Sequence, residues 1–202
     1  MGTFKWIGWA PLYLALATGA AAQQPPTVRV SGTVESFDGQ VLAVKSPKLG
    51  EVKISLAANT TVFGVTKATL ADVKPGSFIG AGAMPQADGS QRAIRVTIFA
   101  EVQRGLGEGH RPWDLQPNST MTNGSVDETV AGVDGRTVMV KYQGGEKKIV
   151  IPPDATILAY MVGDKSELKP GAQIAIVRAA KKPDGTLEAN RVNVGRGGVT
   201  PE

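Results

Sequence analysis

From Val28 onward the chain runs in short stretches that alternate apolar and polar residues, broken by Asp-Gly, Pro-Gly and Gly-Gly pairs. Alternation with a period of two is the mark of half-buried strands, and those pairs are turn formers. The pattern predicts strands over 30–37, 40–46, 52–56, 78–83 and 92–100, with at most one helical turn at Thr69–Val73. It predicts a second set over 129–133, 136–142, 148–151, 173–179 and 187–194, with the helical turn at Ser166–Leu168. Asp38-Gly39, Asp88-Gly89, Asp134-Gly135 and Asp184-Gly185 fall at hairpin tips, where a type I′ turn asks both central residues for positive φ. Pro75-Gly76 and Pro170-Gly171 reverse the chain, proline setting one φ and glycine freeing the next.

The two sets repeat each other. Gly32-Thr33-Val34 through Val44-Lys45 aligns with Glu128-Thr129-Val130 through Val140-Lys141, and Val73-Lys74-Pro75-Gly76 with Leu168-Lys169-Pro170-Gly171. Asp88-Gly89 and Arg95-Val96 align with Asp184-Gly185 and Arg191-Val192, at a spacing of 95 to 96 throughout. Such duplication predicts an all-β protein built as a tandem repeat of two small five-stranded antiparallel barrels, of meander or oligonucleotide/oligosaccharide-binding (OB-like) outline. The expected layout is a signal peptide at 1–22, a first barrel at 28–100, a connector at 101–125, a second barrel at 126–195 and a disordered tail at 196–202. A unit of this size buries only about 60% of its unfolded surface, so the copies should pack together with the connector between them.

The shared pattern, Gly-Thr-Val, Asp-Gly, Val-x-Val-Lys, Leu-Lys-Pro-Gly and Asp-Gly-x-x-x-Ala-x-Arg-Val, resembles the small β-barrel repeats of exported bacterial proteins classed as a domain of unknown function. The resemblance covers both copies. It implies a non-enzymatic envelope module whose ligand is unknown.

The first 24 residues change the picture of compartment. Lys5, the apolar run Trp6–Leu16 and Ala20-Ala21-Ala22 give a positive start, an apolar stretch and a small-residue cleavage site, so cleavage is expected after Ala22. Pro11 interrupts a run already short for the roughly 20 residues of a bilayer span. A periplasmic or secreted location without stable membrane insertion follows as the expectation. With no cysteine the fold has no disulfides, and stability must come from strand pairing and packing. The net charge of +4 falls to +3 without Lys5, and no clustered basic stripe with interleaved aromatics marks a nucleic-acid partner.

Candidate chemistry gathers in 101–125, which has no counterpart in either copy and reads as a structureless connector. It holds the chain's only His, His110, and the only Trp beyond the leader, Trp113. Contact with an envelope protein or small ligand is assigned, in falling order, to Trp113, His110, Asp114 and Arg111. Tryptophan favours either a seam between barrels or a partner anchor. Two alternatives stand beside this reading. A metal site could draw on His110, Asp114 and Met121, with Glu108 behind them, though a lone His makes a weak set and no cofactor is otherwise implied. An oligosaccharide site would want more aromatics than the 5% present. Catalysis is not expected: the four Asp-Gly carboxylates are explained by turns, and no nucleophile sits beside a base.

Overall fold

The structure, a computed structural model, describes residue 2 and residues 25–114, 116–132 and 135–201. The predicted leader, Leu115 and the Asp134 turn lie outside the described residues. Among the described residues twelve strands form one mixed sheet, with three single turns of 3-10 helix between them. In the first copy these are β1 (Thr27–Phe37), β2 (Val41–Ser46), β3 (Gly50–Lys67), β4 (Phe78–Pro85) and β5 (Gln91–Ile98). A short β6 (Gly109–Pro112) follows, then β7 (Thr120–Gly132), β8 (Gly135–Tyr142), β9 (Gly145–Ile151), β10 (Thr156–Val162), β11 (Gln173–Lys181) and β12 (Leu187–Gly195).

The expectation that each copy closes on itself is overturned by the pairing. β1 pairs with β2 and β2 with β3, but β3 then pairs in parallel with β12, β12 with β11, and β11 back with β1. This first ring takes three strands from one copy and two from the other. The second ring is its complement: β4 with β7, β7 with β8, β8 with β9, β9 in parallel with β5, and β5 with β4. Each ring has its own core. Val30, Leu42, Val44 and Ile54 meet Ile174, Ile176, Val192 and Val194 in the first; Ile79, Ala93 and Val96 meet Val126, Val138, Val140 and Ile149 in the second. The boundaries 28–100 and 126–195 therefore divide the sequence and not the fold.

The strand exchange rests on β3 and its counterpart. β3 runs unbroken for 18 residues, its first part pairing with β2 and its last with β10. In the second copy Pro152-Pro153 splits the same path into β9 and β10, because proline cannot donate to a ladder. Between the rings, β10 pairs antiparallel with β3 and parallel with β5. Val65 faces Tyr160, and Lys67↔Leu158 mirrors Phe63↔Val162, so a near two-fold axis passes between the two strands. Neither segment, Thr61–Lys67 nor Thr156–Val162, is among the strands that the alternation predicts. Their β-branched residues mark them as strands.

The repeat is less uniform than its landmarks. Thr33 pairs with Lys45 and Ser125 with Lys141, so Gly32-Thr33-Val34 is matched by Gly124-Ser125-Val126 and not by 128–130. Both hairpins carry a register shift just beyond, and the second is four residues longer toward its tip. The three described tips, at Asp38, Asp88 and Asp184, are not type I′ turns either, since glycine takes the positive φ while the aspartate keeps its φ negative. Asp38 Oδ1 accepts the amides of Gln40 and Val41, Asp88 Oδ1 the amide and hydroxyl of Ser90, and Asp184 Oδ1 those of Thr186. These bonds hold all three carboxyls below the usual carboxylate range, chiefly through Val41 for Asp38, the Ser90 side chain for Asp88 and the Thr186 side chain for Asp184.

The expected disordered tail is packed as far as it is described. The Arg196 amide donates to the Val65 carbonyl, and Val199 is buried with Val65 and Leu158. The Arg196 guanidinium lies where a Cβ on Gly64 would be and makes two bonds to Glu167, at 2.8 and 2.7 Å. Arg196 keeps the Glu167 carboxyl below its ordinary value. A depressed folded-state pKa contributes stability above the unfolded value of about 4.3 and loses it as pH falls through the folded one. The difference in Tm between the native protein and Glu167→Gln should accordingly be positive at pH 7 and shrink as pH falls below the unfolded value. For a partly exposed pair it corresponds to about 1 kcal/mol at most. A pH-independent difference would dismiss the charge contribution.

Candidate functional site

The connector is not structureless. A 3-10 turn at Glu101–Gln103 is fastened by its own residues, Arg104 bonding Glu101 and reaching the Gly76 carbonyl. β6 then pairs antiparallel with the start of β7: Gly109↔Asn123, His110↔Thr122, Arg111↔Met121 and Pro112↔Thr120. Residues 120–125, assigned to the connector by sequence, are strand β7 and pair along their other edge with β4. They occupy the place that 28–33 hold in β1.

Between β6 and β7 the chain makes a compact loop. The Trp113 amide donates to the Ser119 carbonyl at 2.9 Å, closing its neck, and Asn118 takes the left-handed conformation at φ 58°. Asparagine tolerates that region better than most residues. Trp113 lies over β4 with its ring where a Gly82 Cβ would stand, 2.7 Å from that point, so only glycine there lets the indole settle on the backbone. On the other side Asp114 Oδ2 accepts a bond from Arg29 of β1 at 3.1 Å. The loop thus touches both rings, Trp113 the second and Asp114 the first.

An open cleft of about 690 Å³ forms on this loop, lined by His110 through Asp114 and by Gln116 through Thr120. Four of the residues singled out in the sequence, Trp113, His110, Asp114 and Arg111, come together here. Met121 does not line it. Its neighbours Gln116, Pro117, Asn118 and Ser119 were not foreseen, although Pro-Asn is a turn signal that could have marked them. Arg29 and Gly82 carried no local sign, since both act through strands distant in the chain.

The three ionisable side chains that line the cleft each have a partner within the protein. His110 Nδ1 and the Thr122 hydroxyl are 2.8 Å apart, and burial, with Lys147 nearby, pushes the imidazole pKa down. Its Nδ1 is thereby shared with a hydroxyl. Asp114 is ion-paired with Arg29, and Arg111 donates to the Gly107 carbonyl. Among the described residues no three of His, Cys, Asp and Glu converge, so the set His110, Asp114 and Met121 is not supplemented into a metal centre. Glu108 is turned instead to the Gln143 amide. Among the described residues no helix is long and apolar enough to cross a membrane.

Comparison with protein-family models, with curated proteins and with solved structures finds no match for this chain.

Proposed function

We propose that the protein is a non-enzymatic, exported envelope module that binds a partner or ligand through the cleft around Trp113. The single observation behind this reading is that the closed loop 113–119 and the adjoining β6 bring a tryptophan, a guanidinium, a carboxylate and a run of amide and hydroxyl side chains to one open surface. Aromatic and Arg anchors ringed by polar groups are the usual composition of recognition sites. A rigid floor supports it, because the loop rests on strands of both rings. The leader-like residues 1–22 support the periplasmic or secreted setting. We further read each ring as a small OB-like barrel. Its order, first, second, third, fifth, fourth and back to first, with a short turn of helix after the third strand, fits the five-stranded Greek-key outline of that fold.

A second reading, a saccharide ligand, is favoured by Gln116, Asn118, Ser119 and Thr120 standing beside the indole. Two variants test the site. Asn118→Gly keeps the left-handed backbone while removing the amide, and Trp113→Ala removes the anchor. In a pull-down from envelope extract, and in titrations of soluble glycans followed by Trp113 fluorescence for the native and Asn118→Gly forms, a true ligand should lose at least about tenfold in affinity in each variant. Equal capture by all three proteins, with unchanged circular dichroism, would retire the cleft as the binding site.

A further inference from the structure

We propose that the open edge of β1, over Thr27–Ser31, receives an extended peptide as an added strand, with an acidic residue just ahead of the paired stretch. The near two-fold symmetry gives each β1 residue a counterpart in β7. Ser31↔Ala175 and Gly32↔Ile174 in the first ring correspond to Asn123↔Gly80 and Gly124↔Ile79 in the second. The β1 residues 28–31 are therefore the counterparts of 120–123 in β7. On β7 that stretch is paired on both edges, by β4 and by β6. On β1 it is paired by β11 alone among the described residues, because β2 joins only from Thr33 onward.

The molecule itself shows what such an edge accepts: a four-residue extended segment, Gly109–Pro112, held by main-chain pairing. The Val34 amide donates to the Ala172 carbonyl on the β11 side, so alternation along the strand turns the Ser31 amide and carbonyl to the open side. An unpaired row of this kind is the template for strand addition.

The acidic residue follows from the adjoining turn. Ahead of β6, Glu108 accepts the amide of Gln143 in the β8–β9 turn. The matching position in the β2–β3 turn is Pro47, which has no N–H, followed by Lys48 and by Leu49, 44% exposed. Lys45 stands across from Thr33. A carboxylate in the Glu108 position would meet lysine there in place of an amide, and an apolar neighbour would cover Leu49. The occupant is thus a partner's extended segment of the form acidic-Gly-x-x.

The probe is the protein's own segment 105–112, Gly-Leu-Gly-Glu-Gly-His-Arg-Pro, as a synthetic peptide titrated into the isotope-labelled protein. Amide shifts should centre on 28–31 and on 48–50. Lys48→Glu should weaken binding about fivefold, and a Glu108→Lys peptide should bind that variant better than it binds the native protein. Ser31→Pro should abolish binding while the fold persists. Shifts centred on 120–123, which would mean displacement of β6, or on 113–119 would overturn the proposal. So would an affinity indifferent to Lys48→Glu, a readout that stands even if Ser31→Pro fails to fold, or no shift at millimolar peptide.

Discussion

Separated at the turn after Arg104, neither half of this protein should give a folded monomer, and the two halves mixed in equal amounts should recover the native circular dichroism as a 1:1 complex. The expectation follows from the rings. The first half, 25–104, keeps β1, β2 and β3 but loses β11 and β12, and with them Ile174, Ile176, Val192 and Val194 from the core. Each of these is fully or nearly fully buried. Burying such a side chain contributes about 1.5–3 kcal/mol, so four together match the whole stability of a typical domain, about 5–15 kcal/mol. The second half, 105–202, lacks Ile79, Ala81, Ala93 and Val96 from its ring in the same way. A half can instead pair with a second copy of itself, because the near two-fold arrangement offers each half a surface shaped like its missing strands. Size-exclusion chromatography with light scattering distinguishes the outcomes. A folded, monomeric half would refute the strand exchange.

Gly32→Ala and Gly124→Ala should each destabilise the protein by about 3 kcal/mol or more. A Cβ on Gly32 would stand 2.2 Å from the Lys45 carbonyl oxygen, and one on Gly124 would stand 2.3 Å from that of Lys141. Both obstacles are backbone, so nothing flexible can move aside. The two glycines are counterparts, each next to the point where a hairpin shifts register, and their equality is a test of the symmetry as well as of the clash. Gly39→Ala supplies the contrast. Its φ of +100° strains an alanine, but nothing lies within 4 Å, and about 1–2 kcal/mol is expected. Because each ring contains strands of both copies, either glycine variant should lower one shared unfolding transition in urea. Two separate transitions, or a Gly32→Ala as stable as Gly39→Ala, would contradict this account.

Much of the local structure could be read from residues alone. Turn pairs such as Pro75-Gly76 and Asp184-Gly185 bound strands where alternation placed them, and duplication was visible in the spacing of those pairs. What could not be read is which copy completes which ring. β11 would satisfy the same edge of a β1 from either copy, and no local feature marks the choice: β3 runs on past Ala57-Ala58-Asn59 where the second copy has Pro152-Pro153, yet both rings exchange strands alike. The prolines were legible as a break in the strand, but a break says nothing about which strand lies alongside. The aspartates misled for a related reason, since an Asp-Gly pair suits both a type I′ turn and a side-chain-capped tip. At the candidate site, the isolation of His110 and Trp113 in one stretch was enough to find the loop. The glycine that seats the indole was one among 25, and its role appears only when β4 is placed beneath it.

β10, hydrogen-bonded to β3 on one side and β5 on the other, ties the two rings along a ladder and leaves no tether on which they could swivel. The Trp113 cleft and the β1 edge are consequently fixed points on a single stiff body. A partner able to touch both would surrender little orientational freedom at the second contact, so its grip would grow nearly as the product of two modest affinities. A partner whose own contact points had the wrong span would gain nothing from the second. In that sense the interlocked strands make the molecule a gauge of length.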